Sequence, residues 1–200
     1  MKEATINTKG LRARDIATIG IFGAVLFVLC VLSSAITGAF PVIYCYAPAI
    51  VGLISGPVFM LIVSKVHKTG AVILPCAIVG IIFLVMGAAV VCVAMLIAGA
   101  IGELIAAKSK YQNFKLLSLC YLLYIVAYYI STIGPMYYMV NSYQQTGKEL
   151  FSAEYIESLL AVAHSPASYI AVPVMILAAL LSAWAGKRLM KKHFVKAGIL

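Results

Sequence analysis

The side chains best equipped for chemistry gather where an apolar run turns polar and aromatic. Between Tyr124 and Asn141 lie Tyr124, Tyr128, Tyr129, Ser131, Thr132, Tyr137 and Tyr138. Tyrosine rings can sandwich a planar ligand while hydroxyl and amide groups orient its polar edge. Tyr137 and Tyr138, at the end of the run, also fit an aromatic belt at a membrane interface. Tyr128, Ser131 and Thr132 fall inside the run, where hydroxyls need protein, water or ligand partners. The expected substrate-binding set is Tyr44, Tyr128, Ser131, Thr132, Tyr138, Asn141 and His164. In the polar segment that follows, Glu149, Glu154 and Glu157 outnumber Lys148, which favours a cationic or neutral planar ligand over a polyanion. Haem or another tetrapyrrole is the alternative, with His164, Tyr44, Met136 or Met139 as axial ligand.

No covalent chemistry accompanies this set. The sequence holds no GxxxxGK[ST] phosphate loop, no HExxH, no GxSxG and no pair of aspartates in an apolar run. His67, His164 and His193 fall on opposite sides of the expected membrane, so they cannot converge on a metal. The chain is therefore expected not to be an enzyme and to need no cofactor of its own. Glu103 is the carboxylate set in an apolar helix; Lys108 and Lys110 stand close enough in sequence to pair with it. Rings or filter carbonyls of a channel, and the repeated halves of many secondary transporters, are not evident.

The elements that must hold these residues follow from hydropathy. Across 200 residues the chain is 64% hydrophobic and 10% charged, with a mean hydropathy of +1.07, the composition of an all-α polytopic membrane protein. Six transmembrane helices are expected in a domain spanning 16–190, between a basic lead (1–15) and a basic tail (191–200). The first runs from Ile16 to Ile36. Its length exceeds a usual signal-peptide core, so it is expected to be retained. The second covers Val42 to Ser64, with Pro48 and Pro57 predicting kinks or a break. The stretch from Gly70 to Ala107 is too long for one span and divides near Gly87. The fifth covers Phe114 to Val140 and the sixth Ala167 to Met190. Between these two, residues 141–166 form an outer lid segment. There, Thr146 and Glu149 have capping-box spacing, and Phe151, Tyr155, Leu159, Leu160 and Ala163 make an apolar stripe on a short amphipathic helix that either covers a cavity as a lid or rests in the headgroups. Cys30, Cys45, Cys76, Cys92 and Cys120 form no CxxC pair and read as apolar fillers.

Charge fixes the expected orientation. Of the 15 Lys and Arg residues, 14 precede the first span or follow the second, fourth and sixth; only Lys148 falls opposite. The positive-inside rule then places both termini in the cytoplasm of a multi-pass cell-membrane protein. The net charge of +9 is accounted for by these flanks and by anionic headgroups, so no nucleic-acid partner is expected.

On the first helix, Ala17, Gly20, Gly23 and Ala24 make a smooth surface, with Gly20 and Ala24 four apart on one face. Six spans in about 200 residues, both ends inside, this GxxxA variant of AxxxA and a polar outer segment before the last helix together resemble the substrate-binding S components of energy-coupling factor transporters, most closely the Trep_Strep group. The resemblance covers essentially the whole chain. It implies capture of a vitamin-like micronutrient from outside and docking through Gly20 and Ala24 onto a transmembrane coupling protein. Two cytoplasmic ATPases joined to that protein would supply hydrolysis. A non-transport membrane scaffold and a small solo transporter are the alternatives from other classes.

Overall fold

In a hydrocarbon setting every backbone donor and acceptor must be satisfied within the protein, which for one apolar segment means a helix. The computed structural model describes residues 10–190, except the side chains of residues 146–150, and among these it is all-helical. In order the helices are α1 (Ala13–Thr37), α2 (Pro41–Tyr44), α3 (Ala47–Ile54), α4 (Gly56–Val66), α5 (Ile73–Val85) and α6 (Ala89–Lys108). Then follow α7 (Phe114–Thr132), α8 (Pro135–Tyr138), α9 (Val140–Leu150), α10 (Ala153–Ala163) and α11 (Pro166–Leu189). Most of the basic lead, the basic tail with His193, and the Thr146 and Glu149 side chains lie outside the described residues.

Four stretches are long and apolar enough to cross a membrane: Ala13–Thr37, Ala89–Lys108, Phe114–Tyr138 and Pro166–Leu189. A fifth is counted if α3 and α4, bent by 45°, are taken together. The protein is thus a multi-pass membrane protein with four to five candidate spans where the sequence predicts six. The shortfall lies in α5. Its 13 residues rise only about 20 Å, against a hydrocarbon core of roughly 30 Å, because residues 67–72 form a turn and not a first helical turn. The expected division near Gly87 is present: that glycine takes φ +88° between α5 and α6, a left-handed conformation open to a residue without a Cβ.

Glu103 explains the late start of α5. Its carboxylate accepts from the backbone N–H groups of Gly70 (2.9 Å), Val72 (2.8 Å) and Ile73 (2.9 Å), and from the Tyr111 hydroxyl. Helix N-terminal N–H groups have no intrahelical acceptor, and an anion there is favoured by the helix dipole. Glu103 is therefore a structural cap supplied from a neighbouring helix. The pairing with Lys108 or Lys110 expected from the sequence is absent; a buried carboxylate is better satisfied by four aimed donors than by a cation reaching in from solvent.

The break between α3 and α4 has an equally local cause. Pro57 has no N–H to offer the Leu53 carbonyl four residues earlier. Ser182 of α11 donates to that carbonyl (2.5 Å) and accepts from Gly56 N–H (3.2 Å). The Gly52 carbonyl, thereby left free, accepts from the Tyr121 hydroxyl of α7 (2.7 Å). Two neighbouring helices thus replace what the proline removes.

The bundle has two unlike ends. At one, Asp15 accepts from Lys68 (2.6 Å) and from Arg12 N–H (3.0 Å), and Lys187 lies 4.3 Å over the Phe114 ring. The starts of α1, α5 and α7 and the ends of α4, α6 and α11 meet there, bringing Arg12, Arg14, Lys65, Lys68, Lys108, Lys110, Lys115, Lys187 and Arg188 to a basic end. At the other, the lid end, α10 packs over α2, α8 and α9.

Candidate functional site

The lid end is where hydroxyl, aromatic and apolar groups converge. Its floor forms because α7 stops before the Gly134–Pro135 step, and α8 then turns Met136 inward beside Ile133. Above it lies α10, begun by Ser152, whose hydroxyl accepts from Tyr155 N–H (3.3 Å) in the N-cap manner. The helix therefore starts six residues beyond the expected Thr146 cap, and 140–150 form a helix of their own. Of the expected stripe, Leu159 and Ala163 are buried against Ile133 and Met136 and Tyr155 and Leu160 flank them, but Phe151 is exposed, and the place beside Leu159 in the floor is taken by Ile156, which the stripe did not include.

Around this floor stand Tyr44, Tyr129, Tyr137, Tyr143 and Tyr155, each half-buried. Two of them fasten the cover. The Tyr155 hydroxyl donates to the Gly38 carbonyl at the end of α1. The Tyr137 hydroxyl donates to the Ala163 carbonyl, which leaves it to accept from Ser168 Oγ at 2.6 Å. Its ring also packs on His164, with centroids 5.1 Å apart. His164 Nδ1 lies 2.9 Å from the Leu160 carbonyl, an oxygen that can only accept, so Nδ1 is the donor. Burial raises the Tyr155 hydroxyl above its ordinary pKa, and it raises that of Tyr143, with Tyr44 and Tyr155 adding to the shift. These groups are neutral hydrogen-bonding partners at physiological pH. A neutral, aromatic layer with no cation among its described lining residues suits an apolar or planar molecule with polar edges.

The expected binding residues divide among four settings. Tyr44 lies at the rim of this layer, and His164 joins it through Tyr137. Tyr128 lies beneath: its hydroxyl donates to the Cys30 carbonyl (3.2 Å) and receives Ser34 Oγ (2.7 Å), tying α7 to α1. Ser131 and Thr132 turn their hydroxyls onto carbonyls of α7 itself, Ser131 to Ala127 (2.8 Å) and Thr132 to Tyr128 (2.6 Å). Tyr138 and Asn141 are exposed. Of the haem-ligand candidates, Met136 is fully buried in the floor and Met139 is exposed. The expected binding set leaves out Tyr129 and Tyr143, assigns Tyr155 only to the stripe, and gives Tyr137 to a belt. Tyr137 and Tyr138 differ by one residue at a chain turn, and it is Tyr137 that faces inward.

A second surface of interest runs along α1. Its packed side is Ile19, Gly23, Leu26, Cys30, Ser33 and Thr37, at alternating spacings of four and three. Gly23 is the packing glycine: a Cβ there would stand 2.9 Å from Ile78 Cδ1. A Cβ on Gly20 would meet nothing within 4 Å, and Ala24 is exposed. The two small residues four apart are thus not consumed by packing within the chain.

The profile of one protein family, described as a hypothetical bacterial integral membrane protein (Trep_Strep), matches residues 13–196. No curated protein and no solved structure matches the chain.

Proposed function

The chain belongs to the Trep_Strep family of bacterial integral membrane proteins, and from that premise we propose that it is the substrate-binding subunit of an energy-coupling factor importer. The observation that carries this reading is the unused small-residue face of α1. Gly20 and Ala24 lie open while their neighbour Gly23 does the internal packing, the arrangement that lets a second helix approach closely. That helix belongs to a transmembrane coupling protein, and two cytoplasmic ATPases attached to it hydrolyse ATP. The basic end faces the cytoplasm and the lid end faces outward. A vitamin-like micronutrient enters beneath α10, bounded by Tyr44, Tyr137, Tyr143 and Tyr155, once the Tyr155 and Tyr137 ties part. After docking, the occupied lid end is delivered to the inner side.

Co-expression with a candidate coupling protein and ATPases, followed by affinity capture and native mass spectrometry, tests this. A retained small molecule on the isolated chain, and capture of the three partners, are expected. Gly20→Leu with Ala24→Leu abolishes capture while the small molecule stays bound. An empty chain that captures none of the partners makes it a scaffold instead.

A further inference from the structure

The face of the bundle made by α6 and α7 carries a groove of about 560 Å³ that neither the lid nor α1 explains. Its floor is Ala94, Ala98 and Ala127; Val93, Ile97 and Ile130 rise beside it. Every lining residue is Ala, Val, Ile or Leu, so the groove offers no hydrogen bond and no charge to an occupant. Small side chains on two neighbouring helices leave it empty of protein atoms. An empty trough of this size beside hydrocarbon is filled by hydrocarbon, since an unfilled one forfeits dispersion contacts along its whole lining.

Its length selects the occupant. On α6 it extends from Ala89, just past the Gly87 turn, to Ile101, a rise of about 18 Å. On α7 it runs between Leu123 and Ile130, the half nearer the lid end. It therefore begins at the lid-end interface and stops near the middle of the bundle, close to the roughly 15 Å depth of one leaflet. One acyl chain of a single leaflet matches that length. We propose that this groove is a binding site for one acyl chain of a phospholipid in the leaflet at the lid end, held apart from the lipids that exchange freely around the bundle. It is independent of the transport reading and lies on helices other than α1.

Brominated phosphatidylcholine tests it, because bromine quenches tryptophan at contact. In a Trp184→Phe background, one tryptophan is placed at the groove wall by Val93→Trp and another on an exposed face of α5 by Ile81→Trp; the native residues are 57% and 52% exposed. Both proteins are equilibrated in brominated vesicles and then mixed with an excess of unbrominated ones. Quenching of the Val93→Trp reporter is expected to decay at least about tenfold more slowly than that of the Ile81→Trp reporter. Adding Ala94→Phe, which fills the floor, is expected to equalise the two rates. Equal rates without that filling substitution overturn the proposal, leaving ordinary boundary lipid. Weaker initial quenching at the groove reporter overturns it too, since another protein or a second copy then covers the site. Near-ultraviolet circular dichroism of each variant confirms that the fold is retained before rates are compared.

Discussion

A carboxylate in an apolar helix can be a proton carrier, an ion-pair partner or a cap, and its donors decide which. Glu103 receives three backbone N–H groups and the Tyr111 hydroxyl, and Tyr111 is turned toward it by a left-handed backbone at φ 58°. Burial first, and then Glu103 itself, hold the Tyr111 hydroxyl above its ordinary pKa, so it stays a donor at physiological pH. Its folded-state pKa is raised, so the stability it contributes is complete below the ordinary tyrosine pKa of 10.0 and declines as alkali ionises the unfolded tyrosine. Glu103→Gln replaces one accepting oxygen by an NH2 group facing N–H donors. Each bond to a charged group contributes about 1.5–3 kcal/mol, so a loss of at least about 2 kcal/mol is expected. Thermal unfolding in detergent should show it as a lowered midpoint. Lys108→Ala and Lys110→Ala should each stay within about 0.5 kcal/mol, the ordinary range for exposed substitutions; a large effect at either would restore the ion-pair reading.

At the scale of elements, breaks are held as firmly as the helices they interrupt. Tyr121 and Ser182 supply the α3–α4 break, and Ser55 joins them by a 2.9 Å bond to the Tyr121 hydroxyl. Tyr121→Phe and Ser182→Ala should each destabilise by about 1–3 kcal/mol. Because they serve adjacent carbonyls of one break, the double variant should lose a different amount from the sum of the two, measured as a coupling of at least about 0.5 kcal/mol in an unfolding cycle. Tyr155→Phe removes the tie from α10 to Gly38, and a cysteine placed at buried Leu159 should then react several-fold faster with a polar maleimide; unchanged labelling would mean the hydrophobic floor alone holds α10. How much of this the sequence shows depends on the range of the cause. Gly87, Pro48 and Pro57 act on their own backbone, and the division of 70–107 and the interrupted second span are legible. So is the inner part of the stripe, Leu159 and Ala163, though not Ile156 beside them. The Glu103 cap joins residues some 30 apart, and no local pattern announces that its acceptors begin α5 late. The inward choice of Tyr137 over Tyr138 hangs on the geometry of one turn at Pro135, below the resolution of periodicity. Ser131 and Thr132 are polar in an apolar run for a local reason that composition cannot reveal: each bonds a carbonyl one helical turn back.

For the molecule as a whole, α1 connects the two surfaces that the proposed function needs. Its packed side is bonded to α7 through Cys30 with Tyr124 (3.2 Å) and Ser34 with Tyr128 (2.7 Å). Its lid-end terminus receives Tyr155, and its basic-end start is tied by Asp15 to Lys68. The helix is thus fixed along its length, and its free face is presented rigidly, with little entropy left to lose on association. Two glycines three residues apart then separate folding from docking. Gly23→Leu drives a branched side chain into Ile78, already 2.9 Å from a bare Cβ; overpacking of this kind costs typically about 1–3 kcal/mol, and both the unfolding midpoint and complex assembly should fall. Gly20→Leu meets open space, so the unfolding midpoint should hold or rise slightly, since glycine within a helix is about 1 kcal/mol poorer than alanine. Assembly with the proposed coupling protein should nevertheless fall at least about tenfold, about 1.4 kcal/mol in binding. If Gly20→Leu assembles normally while Gly23→Leu fails, the free face of α1 is lipid-facing surface and the partner must seat elsewhere.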